Sequence, residues 1–130
     1  MLDLNQVLFY ADRDGRMTDR PQRRYLAIVD GIIAGEGEGP LASTPRHAGL
    51  LIGGRDPALV DAACARAMGY GEAQVKMILG ALAQGGRPLL PTSDLDLLRV
   101  TLDGPAPAGT FVPPRTWPNL PRDARPLLAG

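Results

Sequence analysis

The sequence predicts an α/β fold: a small sheet of about three strands flanked by helices, part of a larger α/β architecture, with an irregular Pro-rich C-terminal tail. Three observations carry this reading. Residues 26–29 and 48–52 form short apolar runs with the look of buried strands. Two helical periodicities separate them from a third strand-like alternation, and strands interleaved with helices argue α/β. Seven prolines crowd between Pro105 and Pro126, removing too many N–H donors for a long helix or a sheet interior. The chain divides accordingly into an α/β domain over 1–104 and a tail over 105–130, packed on the domain or partly disordered.

Leu4, Val7, Leu8 and Ala11 recur at helical spacing over residues 2–11, with Asp3 as a plausible N-cap. The run 12–15, DRDG, then reads as a turn. Residues 25–33 give the first core signal. A buried helical turn competes with a strand there, and Gly31 and Gly35 favour the strand. A Gly-rich acidic loop follows over 34–41, AGEGEGPL, and Pro45 and Arg46 fall in a second loop segment. The second strand, 48–52, closes at Gly53 and Gly54.

A well-punctuated helix comes next. Asp56 caps it and Pro57 takes the first helical position, where a missing N–H costs nothing. Val60, Ala63, Cys64, Ala67 and Met68 form its apolar stripe, and Gly69 stops it. A second helix starts near Glu72, carries Val75, Ile78, Leu79, Leu82 and Ala83 on one face, and ends at Gly85 and Gly86. Leu98, Val100 and Leu102 alternate with polar residues as in a half-exposed strand.

Composition narrows the function. Fourteen basic residues balance fourteen acidic ones, so no net charge draws the chain to nucleic acid or an anionic membrane. No apolar run reaches the length of a membrane span. Acids near the N-terminus, where a signal peptide is basic, lead us to expect a cytoplasmic address. Cys64 is the single cysteine, which excludes an internal disulfide and any cluster held by this chain alone.

The segment 30–41, DGIIAGEGEGPL, is the most informative for chemistry. Asp30 ends the first strand, and Glu36 and Glu38 stand between glycines. Carboxylates beside a strand end can hold a hard cation or act as acid and base; the competing reading is a solvated acidic loop whose glycines serve turns. Asp61 lies at the edge of the apolar stripe, where a carboxylate needs a hydrogen-bond partner, water or a cation. We therefore expect Asp30, Glu36, Gly37, Gly39 and Asp61 to form a ligand site, with Asp30, Glu36 and Asp61 as ligands to a divalent cation. Their convergence requires the first two strands to run parallel. Cys64 reads as an inert core residue and His47 as a surface histidine. Trp117 is expected to pin the tail onto the domain.

The motifs together resemble a known family. Asp30 at a strand end, then Glu36, Gly37, Gly39 and Pro40, then Asp56, Pro57 and Asp61 are similar to the C-terminal half of the domain-of-unknown-function family 362, over about residues 3–84. FVPPRTWPN, 111–119, is similar to that family's closing aromatic–Pro–Trp segment, with Thr116 where Gly is expected. The resemblance implies association with ferredoxin-type iron–sulfur modules, hence a place in or beside an iron–sulfur redox system. It assigns no reaction. It also implies a missing N-terminal half, so the partners expected are that half, a ferredoxin-type protein or further copies of the chain. The alternative is a non-catalytic truncated domain that folds or binds only within a larger assembly.

Overall fold

The computed structural model describes residues 2–71, 75–83, 85–89 and 109–117. Its elements run α1 (Leu2–Tyr10), β1 (Ala27–Glu38), β2 (Ala42–Gly54), α2 (Pro57–Ala67) and α3 (Lys76–Leu82).

α1 takes the helical stretch read from its periodicity, but Asp3 lies in its first turn rather than at its cap, and Leu4, Val7 and Leu8 of the expected stripe are exposed while Tyr10 is buried. The Arg23 guanidinium donates to the carbonyls of Leu8 and Ala11, at 2.7 and 2.6 Å, satisfying carbonyl groups that a helix end leaves without partners. The turn expected at 12–15 is present. The Asp12 carboxylate accepts the backbone N–H groups of Asp14 and Arg16, the local bonding that makes aspartate a turn residue.

The two strands form an antiparallel hairpin, with Ala27 opposite Gly54 and Glu38 opposite Ala42. This corrects the parallel arrangement that the predicted ligand site needed. The acidic segment is no crossover loop: it is the outer half of β1, and only Gly39, Pro40 and Leu41 are left to turn the chain. The physical reason lies in its alternation. Along a strand successive side chains face opposite ways, so Glu36 and Glu38 share one face while Gly35 and Gly37 occupy the other. A Cβ on Gly35 would stand 3.0 Å from that of Ser43, so the strands approach closely where glycine removes the side chain. Ala48 and Gly49 together oppose Ile32, a β-bulge. Gly49 takes φ +67° there, a conformation costly for residues with a Cβ.

Among the described residues the sheet has these two strands. The third strand expected at 98–102 lies outside the described residues, as do the boundary at 104, most of the tail and the expected start of the second helix at Glu72.

α2 follows its sequence signals. The Asp56 carboxylate accepts the N–H groups of Ala58 and Leu59, at 3.0 and 3.1 Å, with Pro57 in the first turn. Gly69 ends it at φ +80°. Its small residues let α3 approach, and Ala62, Ala65 and Ile78 form a buried cluster packed by Leu59, Val75 and Leu82. Ala81 and Leu89 make a second cluster against Leu2 and Phe9. Ile78 and Leu82 therefore face the core as read, whereas Leu79 and Ala83 turn outward and Ala81 is buried. The core is thus helical, and the hairpin projects from it. α2 supports only the base of the hairpin, where Gly54 lies so close to Val60 that an added Cβ would come within 2.8 Å.

Candidate functional site

The hairpin separates the residues that the sequence suggested would converge. Asp30 sits mid-strand opposite Leu51, exposed, its carboxylate accepting the N–H of Ile32 at 3.0 Å. Glu36 lies six residues further along the same strand, roughly 20 Å away at the rise of an extended chain. Gly37 is the next residue and Gly39 opens the turn. Asp61 is on α2, facing a recess of about 40 Å³ lined by Leu2, Pro57, Ala58, Met77 and Ile78 among others. Asp61 is exposed at the rim of this recess, and partial desolvation there pushes its carboxyl pKa up. Among the described residues no three Asp, Glu, His or Cys side chains gather as a metal-binding group, so Asp30, Glu36 and Asp61 do not form the expected cation site.

Glu36 is engaged instead by a residue that sequence reasoning missed. Arg46 opposes Ala34, placing it on the same face as Glu36 and diagonal to it. Its Nη1 donates to Glu36 Oε2 at 2.8 Å, with both side chains mostly buried. The same guanidinium donates to the carbonyls of Thr110 and Gly109 and lies 4.3 Å over the Phe111 ring, a cation–π contact. Glu36 Oε2 also accepts the Val112 N–H, and the Arg46 and Val112 bonds hold its carboxyl below the usual carboxylate pKa. The Gly37 N–H donates to the Val112 carbonyl, and the Phe111 N–H to that of Met68. The C-terminal segment 109–117 is thus tied to the hairpin tip and to the end of α2. Phe111 is its anchor, only 4% exposed, whereas Trp117 is 51% exposed. This corrects the expectation that the tryptophan would pin the tail.

Between its supported base and its tied tip, the hairpin is bare. Ile28 and Ile32 share one face of β1 with Leu51, which opposes Asp30; Ile33 points to the other face. These four are 64%, 58%, 70% and 60% exposed. An isolated two-stranded hairpin is marginal in water, and grouped exposed apolar side chains mark interaction surfaces. The signal was present in the sequence: the apolar run at 26–29 has the composition of a strand covered on both faces.

Cys64 is half-buried on α2, its thiol pKa pushed up by burial and by the Asp61 charge. A single protonated thiol does not fit the ligand set of an iron–sulfur cluster. No helix among the described residues is long and apolar enough to cross a membrane.

Comparison with known proteins adds one match. The family described as Domain of unknown function (DUF362) matches residues 1–66, which take in α1, the hairpin and nearly all of α2. No curated protein and no solved structure matches the chain.

Proposed function

The chain belongs to the family Domain of unknown function (DUF362), and on that premise we propose that it is a non-catalytic association domain, working within a larger assembly through its β1–β2 hairpin. One observation carries the reading: Ile28, Ile32, Ile33 and Leu51 stand more than half exposed on two strands that α2 supports only at the base. Leaving such side chains in water forgoes about 25 cal/mol per Å² of apolar surface, and covering them in an assembly recovers it. Among the described residues no third strand pairs with either edge, and such edges favour the same outcome by offering unpaired N–H and C=O groups.

The family resemblance supplies a context for the assembly. A ferredoxin-type iron–sulfur module, or the other half of the family's architecture, is the partner it implies, in the cytoplasm and beside redox chemistry. The lone Cys64 supports placing any cluster on that partner rather than on this chain.

Sedimentation velocity of the purified chain tests the reading. Without its assembly the wild type should self-associate, and the double variant Ile28→Lys/Leu51→Lys should sediment as a monomer with an unchanged helical circular dichroism signal. A wild type that stays monomeric as concentration rises, and binds no apolar dye, would overturn it.

A further inference from the structure

At the base of the hairpin lies a second feature, independent of its apolar faces. The register sets Ala27 opposite Gly54, so Arg24 and Tyr25 enter the hairpin beside the point where Arg55 leaves it. Around them opens a cleft of about 750 Å³, walled by Phe9, Tyr25, Arg24, Arg55, Asp56 and Leu89, among others. That volume falls in the range of small-molecule sites.

The cleft's charges are unequally engaged. Arg23 is occupied in closing α1, as described. Asp56 gives its carboxylate to the α2 N–H groups. Asp19 pairs with Arg87 at 3.2 Å. Tyr10 donates its hydroxyl to the Pro88 carbonyl at 2.6 Å. Arg24 and Arg55, by contrast, make no hydrogen bond or ion pair with any described residue. Two exposed arginines therefore line one cleft with no described partner for their donors, next to an apolar wall in which the Phe9 and Tyr25 rings pack at 5.5 Å between centroids.

We propose that this cleft binds a small organic oxyanion, a carboxylate or phosphate ester carried on a flat apolar body, with Arg24 and Arg55 taking the anionic head and the Phe9–Tyr25 wall taking the body. A guanidinium fork matches the geometry of both oxyanions, and aromatic walls favour a planar body over an aliphatic one. Arg23, Arg24 and Arg55 against Asp19 and Asp56 leave the cleft's charge balance positive.

The test is an NMR titration of the full ¹⁵N-labelled chain with phenyl phosphate, benzoate and inorganic phosphate, following the Arg Nε–H signals and the Tyr25 amide. Saturable shifts of Arg24, Arg55 and Tyr25 are expected with at least one aromatic anion, and at least tenfold weaker binding of inorganic phosphate. Preference for phenyl phosphate or for benzoate identifies which oxyanion the site takes. Arg24→Gln/Arg55→Gln should weaken the preferred anion at least tenfold without changing the melting temperature of the free protein. No saturable shift with any probe, equal affinity for inorganic phosphate, or undiminished binding to the double variant would each overturn the proposal.

Discussion

Arg46 reaches diagonally across the hairpin to Glu36, Nη1 to Oε2 at 2.8 Å, and the same guanidinium holds the carbonyls of Gly109 and Thr110. One side chain thereby joins the hairpin tip to a segment more than sixty residues away. Arg46→Ala should free residues 109–117 and lower stability by about 2 kcal/mol, the scale of hydrogen bonds to a charged group. Urea unfolding gives the loss, and limited proteolysis should cut the variant first near Phe111. Unchanged proteolysis would show that Phe111 holds the segment unaided.

The pH dependence of this junction follows from its sign. The Glu36 carboxyl pKa is depressed in the fold below its ordinary 4.5, first by the Arg46 hydrogen bond and then by that of Val112. A depressed acid contributes stability that is present above the unfolded pKa and lost as pH falls through the folded one. Wild-type stability should therefore drop as pH is lowered below about 4.5, and Glu36→Gln should flatten that part of the profile. Melting curves of both proteins across the acid range check it.

Gly69 ends α2 at φ +80°, and a Cβ there would lie 2.8 Å from Thr110 Cγ2 and 3.1 Å from its Cα. Gly69→Ala should cost about 1–2 kcal/mol for the left-handed backbone alone, with a further loss from displacing Thr110. Denaturant unfolding measures the total. A cost equal to the backbone figure alone would mean that the C-terminal segment moves aside freely.

How far the sequence could be read follows from how local each signal is. The α2 start was legible because Asp56, the Ala58 and Leu59 N–H groups it accepts and the helix-ready Pro57 lie within four residues, and its end because Gly69 supplies the required φ by itself. The strand character of 26–29 was legible from its apolar run. The hairpin was not, since strand pairing depends on the intervening segment, and Gly, Glu and Pro45 carry little strand preference. The period-two alternation of Gly35–Glu38 was the available clue. The Glu36–Arg46 pair is visible only once the register is known. Ring size alone favours Trp117 as the anchor, but the register that brings Arg46 over Phe111 gives that role to the smaller ring.

Asp61 moves oppositely to Glu36. Desolvation raises its pKa from the ordinary 3.8, so the folded state disfavours its charge. Stability linked to this group is full below the unfolded pKa and declines as pH rises through the folded one. Asp61→Asn should therefore melt slightly above wild type at neutral pH and together with it in strong acid. A lower melting temperature at neutral pH would reveal an ionic partner for this carboxylate.

In the function proposed above, the hairpin is an interface awaiting cover. Hydrogen–deuterium exchange of residues 28–33 and 50–52, measured in the intact chain at low and high protein concentration, tests it most directly. Protection should grow with concentration at these residues, while the buried stretch around Ala62, Ala65 and Ile78 stays equally protected throughout. Strong protection of the hairpin that is already complete in a dilute monomer, and does not change with concentration, would contradict it.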